Sequence, residues 1–117
     1  MIRVRAIVDD AGCLSSVSVS GHAAAERGPS GGSIVCAAVT GLVRSCAEAI
    51  ARRPSITASG DAPGPGELRV EIHGRGSDRE WLRGVTDVML CGVERMAGEA
   101  PDELELMIER TGVDHGA

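Results

Sequence analysis

Aromatic residues are almost absent from this 117-residue sequence, in which Trp81 stands without any Phe or Tyr. Proteins that bind single-stranded nucleic acid stack bases on aromatic side chains, so this scarcity argues against that class. Positive charge is also in short supply, because 12 basic residues oppose 17 acidic ones and leave a net charge of −5. General nucleic-acid binders carry the opposite balance, so we expect no nucleic-acid partner.

The four cysteines form no paired motif, since Cys13, Cys36, Cys46 and Cys91 contain no C-x-x-C spacing. A zinc ribbon or a thioredoxin-type motif is therefore not indicated, and we expect no metal and no cofactor. The first residues, MIRVRAIVDD, mix charged and apolar residues, which excludes a signal-peptide core. No apolar run approaches the roughly 20 residues that cross a bilayer, so no membrane partner is expected. Free thiols then predict a cytoplasmic location.

Hydrophobic periodicity predicts a single domain over residues 1–117 with the element order β-β-α-β-β-α-β. The alternating segments that predict strands are 2–8, 14–20, 55–59, 67–73 and 104–108, and the helical segments are 34–51 and 78–98. A chain of this length can bury one core without staples. The pattern predicts an α+β fold, a two-layer sandwich in which two helices lie on a mixed or antiparallel sheet.

Each predicted helix shows an apolar face. The predicted faces comprise Val35, Ala38, Val39, Leu42, Cys46, Ala49 and Ile50 in the first helix, and Trp81, Val85, Val88, Met89 and Met96 in the second. Ser77 and Asp78 precede the second helix and predict its N-cap. The first helix is rich in Ala and Gly, so another backbone can approach it closely, and we expect it at a subunit contact.

The segment GHAAAERGPSGGSIVCAAVTGL, residues 21–42, places His22 after a strand and Cys36 at the start of a helix. Ser33 is the predicted N-cap of that helix, because a Ser side chain accepts a hydrogen bond from a first-turn amide. Cys36 would then lie in the first turn, where free N–H groups and the helix dipole favour the reactive thiolate. His22 beside it would act as the base.

The same helix start offers a place for a developing negative charge. Free amides near Val35 and Cys36 would hold the oxyanion of an acyl-transfer reaction. The glycine-rich segment 28–32 lacks the order of a phosphate-binding loop, so we interpret it as a loop that closes over a ligand.

A structural interpretation of both residues stays open. A Cys in an Ala-rich helix is often a small core residue, and a His before a loop is often a solvated turn residue. Cys46 lies on the apolar face of the first helix and is predicted as core, whereas His73 lies on the polar side of its strand and is predicted as solvated.

These residues resemble the ribosomal-processing cysteine protease family, Prp. The resemblance rests on GHA at 21–23, a glycine-containing loop and IVCAAVTGL at 34–42, and it extends over essentially the whole chain in length and element order. It implies a catalytic dyad with Cys36 as nucleophile and His22 as base. The neighbouring residues expected to bind substrate are Gly21, Gly31, Gly32, Ser33 and Val35.

The resemblance also implies the substrate and the assembly. Family members are homodimers that remove the N-terminal extension of a large-subunit ribosomal protein of the bacterial L27 type. Many members carry Asp three residues before the Cys, where this sequence has Ser33. A non-catalytic ribosome-associated binding module, or a dimerisation domain whose Cys36 is a core residue, is the alternative.

Overall fold

The computed structural model describes residues 1–21, 31–62 and 67–111. The described strands are β1 (Ile2–Val8), β2 (Leu14–Ser20), β3 (Thr57–Asp61), β4 (Leu68–Gly74) and β5 (Leu104–Arg110), and the described helices are α1 (Gly31–Ala51) and α2 (Arg79–Glu99). Their order along the chain is β-β-α-β-β-α-β, which confirms the predicted α+β fold. The strand predicted at 55–59 begins two residues later than expected, and the other strands begin within one residue of their predicted starts.

The five strands form one mixed sheet in the order β3-β4-β2-β1-β5. β1 pairs antiparallel with β2 and parallel with β5, and β4 pairs antiparallel with both β2 and β3. β2 and β3 therefore run in the same direction, and α1 is the crossover that joins them. Because a crossover helix runs back against its strands, α1 begins at the end of the sheet at which β2 ends.

Both described helices lie on one face of the sheet, and within the described part of the chain the other face is open to solvent. Ile2, Val4 and Ala6 of β1 are buried beneath the helices, whereas Arg3 and Arg5 between them are exposed. On the open face Arg3 bonds Glu105 at 3.2 Å and Arg5 bonds Glu109 at 2.7 Å across the β1–β5 pairing. Such exposed pairs stabilise a fold by about 0–1 kcal/mol each, so the core is the buried apolar side of the sheet.

The helix faces that enter the core differ in part from the predicted ones. α1 buries Val39, Val43 and Ile50, of which Val43 was missed, and it leaves the predicted core residue Ala38 exposed. In α2 the buried side chains are Leu82, Thr86, Met89 and Val93, whereas the predicted Val88 is 65% exposed. The periodicity did not predict the buried residues of α2 correctly, because α2 contacts the sheet on one side and α1 on another. Where the helices meet, a Cβ added at Gly92 would lie 2.6 Å from Cδ2 of Leu42.

The expectation that no segment is apolar enough to cross a bilayer was wrong for α1. Ile34–Ala51 has a mean hydropathy of 1.6 and is long and apolar enough by length and composition. A core helix of a globular protein passes the same test, and α1 packs Val39, Val43 and Ile50 against the sheet.

Thr86 is a buried polar residue that links α2 to β2. Its Oγ1 accepts the Leu14 amide at 3.0 Å and donates to the Leu82 carbonyl at 2.8 Å. The Leu14 amide needs this acceptor because the β1–β2 register is irregular beside it, between Ile7 and Val8.

Thr86→Val should therefore destabilise the fold although it keeps the side-chain shape. The buried Leu14 amide loses its acceptor, which costs about 1–3 kcal/mol of unfolding free energy. Urea denaturation measures the loss, and Thr86→Ser, which keeps the hydroxyl, should cost less. Equal stability of Thr86→Val and the wild type would contradict this role.

Arg53 joins the end of α1 to the start of α2. Its Nη2 donates to Asp78 Oδ1 at 2.7 Å, its Nε donates to Oδ2 at 3.3 Å, and its guanidinium carbon lies 4.5 Å from the Trp81 ring centroid. Ser55 Oγ also donates to Asp78. The Asp78 carboxylate is thus bound by Arg53 and Ser55 and makes no side-chain cap hydrogen bond to α2. Asp78 is therefore not the side-chain N-cap that the sequence predicted, because a tertiary partner takes its oxygens.

These contacts give the fold a pH dependence below neutrality. The hydrogen bonds from Arg53 and then Ser55 lower the pKa of Asp78 from its ordinary value of 3.8. Because the folded pKa lies below the unfolded one, the stabilisation is complete above about pH 4 and is lost as the pH falls through the lowered pKa.

Asp78→Asn should accordingly be less stable than the wild type at pH 7, and the difference should shrink as the pH falls below about 4. Urea denaturation at a series of pH values measures both proteins. A difference that stays constant down to about pH 2 would contradict the contribution of the charged carboxylate.

Candidate active site

Cys36 lies in the second turn of α1, with a side chain that is partly exposed and packs against the edge of the core. The residues that follow it, Ala37 and Ala38, are exposed and small, so they leave space around the thiol. Two positions earlier, Ile34 is 73% exposed, an unusual degree for a large apolar side chain. The thiol is thus partly accessible, whereas Ile34, two residues away, projects to another side of the helix. The sequence pattern indicated neither exposure.

The start of α1 differs from the prediction. The helix begins at Gly31, so Ser33 lies within the first turn and is not the N-cap. Gly31 and Gly32, predicted as part of a closing loop, are helical, because the weak helix propensity of glycine is readily overridden by tertiary context. Residues 28–30 of that predicted loop lie outside the described residues.

The earlier start also moves the free amide groups. A helix leaves its first four N–H groups without intrahelical acceptors, and in α1 these precede Val35. The amides of Val35 and Cys36 therefore point to carbonyls one turn back, which corrects their predicted role as oxyanion donors. Cys36 is likewise one turn farther from the positive end of the helix dipole than predicted.

Gly21 directly follows β2 and has a backbone conformation that favours glycine. Its φ is +116°, and a Cβ placed on it would lie 2.2 Å from the Met1 carbonyl oxygen and 2.9 Å from the Ile2 Cα. The first residue of the GHA motif thus has a backbone reason to be glycine. His22 follows it directly, and both its predicted roles, base or turn residue, lie outside the described residues.

The other cysteines occupy different surroundings. Cys13 is buried, and its Sγ donates to the Arg79 carbonyl at 3.3 Å. Cys46 was predicted as a core residue and is half-buried against the core. Its burial raises the pKa of the thiol, which favours the unreactive protonated form. Cys91 is exposed on α2.

The remaining candidates for chemistry are His73 and any cluster of side chains that could hold a metal ion. His73 is exposed, as predicted, and its Nε2 shares a hydrogen bond of 2.9 Å with Ser59 Oγ on the open face of the sheet. Within residues 1–21, 31–62 and 67–111, no three His, Cys, Asp or Glu side chains are grouped to hold a metal ion.

An accessible thiol near a helix N-terminus is typical of enzymes that use cysteine as a nucleophile. The comparisons agree with this class. The family model for the cysteine protease Prp matches residues 1–105. The chain therefore belongs to the cysteine protease Prp family and is a cysteine protease, which confirms the resemblance drawn from GHA and IVCAA.

Solved structures share the fold over nearly the whole chain. SMU.848 from Streptococcus mutans is 25% identical with a TM-score of 0.77, and the match covers 95% of this chain and 96% of that one. The essential ribosomal processing protease Prp from S. aureus matches in its complex with a covalently linked product peptide, at 23% identity and a TM-score of 0.75, over 93% of this chain and 100% of that one.

A second structure of the S. aureus protease, in complex with a substrate peptide, is 21% identical with a TM-score of 0.76 and the same coverage. At these identities the S. aureus structures show a shared fold. None of the curated proteins matches the chain significantly.

Proposed function

We propose that this protease removes the N-terminal extension of a large-subunit ribosomal protein of the L27 type, with Cys36 and His22 as its catalytic dyad. The observation that carries the proposal is the accessible Cys36 within the IVCAA segment of a chain that the Prp family model matches. Support for the substrate class comes from the S. aureus relative, which is a ribosomal processing protease.

In the proposed reaction, the Cys36 sulfur attacks the scissile carbonyl carbon while His22 takes the thiol proton. The tetrahedral intermediate collapses to a thioester as His22 returns that proton to the leaving amine. Water, activated by the same His, then hydrolyses the thioester and regenerates the thiol. Amides at the start of α1, from residues 31–33, are the proposed oxyanion donors, because they lack intrahelical acceptors.

The topology favours this pairing. β2 ends at Ser20 and the chain reaches His22 through Gly21, while the crossover returns the start of α1 to the same end of the sheet. Gly21 and the first turn of α1, including Gly31, Gly32 and Ser33, thus belong to that end together with Val35.

The test is cleavage of a peptide that spans the junction between the extension and the mature ribosomal protein. Mass spectrometry should find two products that meet at the junction. A scrambled peptide of the same composition is the control and should remain intact. Binding of the junction peptide without cleavage would support the non-catalytic alternative, and neither binding nor cleavage would support the dimerisation domain.

We also propose that the protease acts in the cytoplasm as a homodimer whose subunits meet through α1. The exposed side of α1 carries Ile34, Ala37, Ala38, Gly41 and Ser45, which are small or apolar at helical spacing. Two such surfaces can approach closely around a two-fold axis.

Light scattering should therefore give twice the monomer mass of 12.0 kDa. Ala38→Glu places a charge in the proposed contact and should give a monomer, whereas Met107→Glu, the same kind of change at an exposed residue of β5 away from α1, should leave the dimer intact. A wild-type monomer, or equal effects of both substitutions, would contradict the proposed contact.

A further inference from the structure

A cleft rich in arginine lies at the end of the sheet opposite to the one where β2 ends. Its volume is about 430 Å³, and its walls come from the β1–β2 turn, the first two turns of α2 and the end of β5. The lining residues are Asp10, Ala11, Gly12, Arg79, Glu80, Arg83 and Arg110. The cleft is therefore separate from Cys36 and from the proposed protease site.

Within the described part of the chain, the three arginines of the cleft take no part in ion pairs. Among the described residues the arginines in salt bridges are Arg3, Arg5, Arg53 and Arg75. No described carboxylate lies within 4.0 Å, the salt-bridge distance, of the guanidinium groups of Arg79, Arg83 and Arg110. Asp10 and Glu80 line the cleft as well, so it keeps one excess positive charge in a protein whose net charge is −5.

The turn on which the cleft is built is held in place by its own hydrogen bonds. Asp9 Oδ1 accepts the amides of Ala11 at 2.9 Å and Cys13 at 3.0 Å, and the other Asp9 oxygen binds Arg75. Cys13 in turn donates its Sγ hydrogen to the Arg79 carbonyl, which fixes the start of α2 to the turn. One wall of the cleft is thus braced before any ligand arrives.

The stem of one of the arginines packs against the turn at Gly12. Its φ is +83°, and an added Cβ would lie 3.4 Å from Arg83 Nε and 3.6 Å from both Cγ and Cδ. The stem of Arg83 therefore passes over the glycine at van der Waals distance from its Cβ position. A guanidinium held by its stem loses less side-chain entropy when it binds an anion.

We propose that this cleft binds a phosphate group, either free or carried by a nucleotide. Guanidinium groups match the oxygens of a phosphate through paired N–H donors, and several arginines around one cavity supply the charge that it needs. A nucleic-acid chain would need a wider basic surface, which the acidic balance of this protein does not provide. The cleft therefore suits one compact anion.

NMR titration of the 15N-labelled protein with sodium phosphate at constant ionic strength tests the proposal. Saturable shifts are expected in the amides of residues 10–12 and 79–83, and sodium chloride should not reproduce them. Arg83→Met keeps the stem over Gly12 and removes the charge, so it should weaken binding about fivefold or more, as should Arg110→Ala. Glu80→Gln removes a repulsive charge and should strengthen binding about twofold.

Arg95→Ala is the matched control, because Arg95 is an exposed arginine of α2 that does not line the cleft. It should bind phosphate as the wild type does, and thermal melts establish that every variant is folded. Adenosine monophosphate distinguishes the two sources: tighter binding than free phosphate identifies a nucleotide, and equal binding identifies the phosphate group alone. Either result supports the cleft.

Three results would overturn the proposal. The first is chemical-shift changes that sodium chloride reproduces. The second is equal weakening of phosphate binding by Arg95→Ala and Arg83→Met. The third is binding of a short RNA that Arg95→Ala weakens as well as the substitutions of the cleft arginines. None depends on peptide cleavage, so the outcome is independent of the proposed protease substrate.

Discussion

Cys36→Ser is expected to abolish peptide cleavage, with a loss in kcat/KM of more than about 1,000-fold, while the fold and the dimer persist. A hydroxyl at this position is a far weaker nucleophile than a thiol beside a base, so the covalent step fails. The side chain changes little in volume and is partly exposed, so packing should be nearly unaffected. Cleavage of the junction peptide and urea denaturation measure the two expectations.

The other cysteines provide matched controls for this substitution. Cys91→Ser changes an exposed thiol on α2 and should leave both activity and stability unchanged. Cys46→Ser places a hydroxyl at a half-buried position against the core, so it should lower stability while the folded protein keeps its activity. Wild-type turnover by Cys36→Ser would exclude Cys36 as the nucleophile, and with it the dyad.

The sequence predicted the strands well where their pattern was local. Ile2, Val4 and Ala6 alternate with arginines, and the structure buries the first set and exposes the second. β3 was placed two residues early, because Ile56 is buried although it lies in the connection, where its amide bonds the Arg53 carbonyl. A buried apolar residue in a turn looks like a strand residue when only the sequence is available.

The contacts that join distant elements could not be predicted. Thr86 is polar and lies among the apolar residues of α2, and its buried partner is the amide of Leu14, 72 positions away. Asp78 has the type and position of a helix cap, but its oxygens bind Arg53. Sequence spacing indicates the local role of each residue, whereas the tertiary fold determines which hydrogen-bond partner the side chain binds.

For the candidate site, Cys36 as nucleophile stays a prediction from the motif, and the predicted start of the helix that carries it was three residues too late. Ser33 has the chemistry of an N-cap, yet α1 starts earlier, through two glycines that are poor helix formers. The accessibility of Cys36 and the exposure of Ile34 depend on how α1 packs, which no local pattern shows. The role of His22 stays a prediction from the GHA motif.

Gly21→Ala is the substitution expected to damage both the fold and the site. A Cβ at this position would lie 2.2 Å from the Met1 carbonyl oxygen, far inside van der Waals contact, and the φ of +116° is one that alanine rarely adopts. Relief requires a shift of backbone, either at the start of β1 or at the end of β2. We expect a loss of about 1–3 kcal/mol in unfolding free energy, the usual cost of a strained backbone position.

The same shift should lower cleavage by the folded variant about tenfold or more, because a displacement of about 1 Å in a catalytic group has a cost of that order or larger. Gly21 directly precedes the proposed base, so a change at the end of β2 moves the residue that must meet Cys36. Thr86→Val is the stability-matched control, since it should lose a similar free energy at the other end of β2 and keep kcat/KM. Gly84→Ala is the steric control, because a Cβ there meets nothing within 4 Å and should stabilise α2 by about 0.5–1 kcal/mol. Wild-type stability of Gly21→Ala would contradict the steric role of this glycine, and a loss of stability with unchanged kcat/KM would separate the end of β2 from the catalytic site.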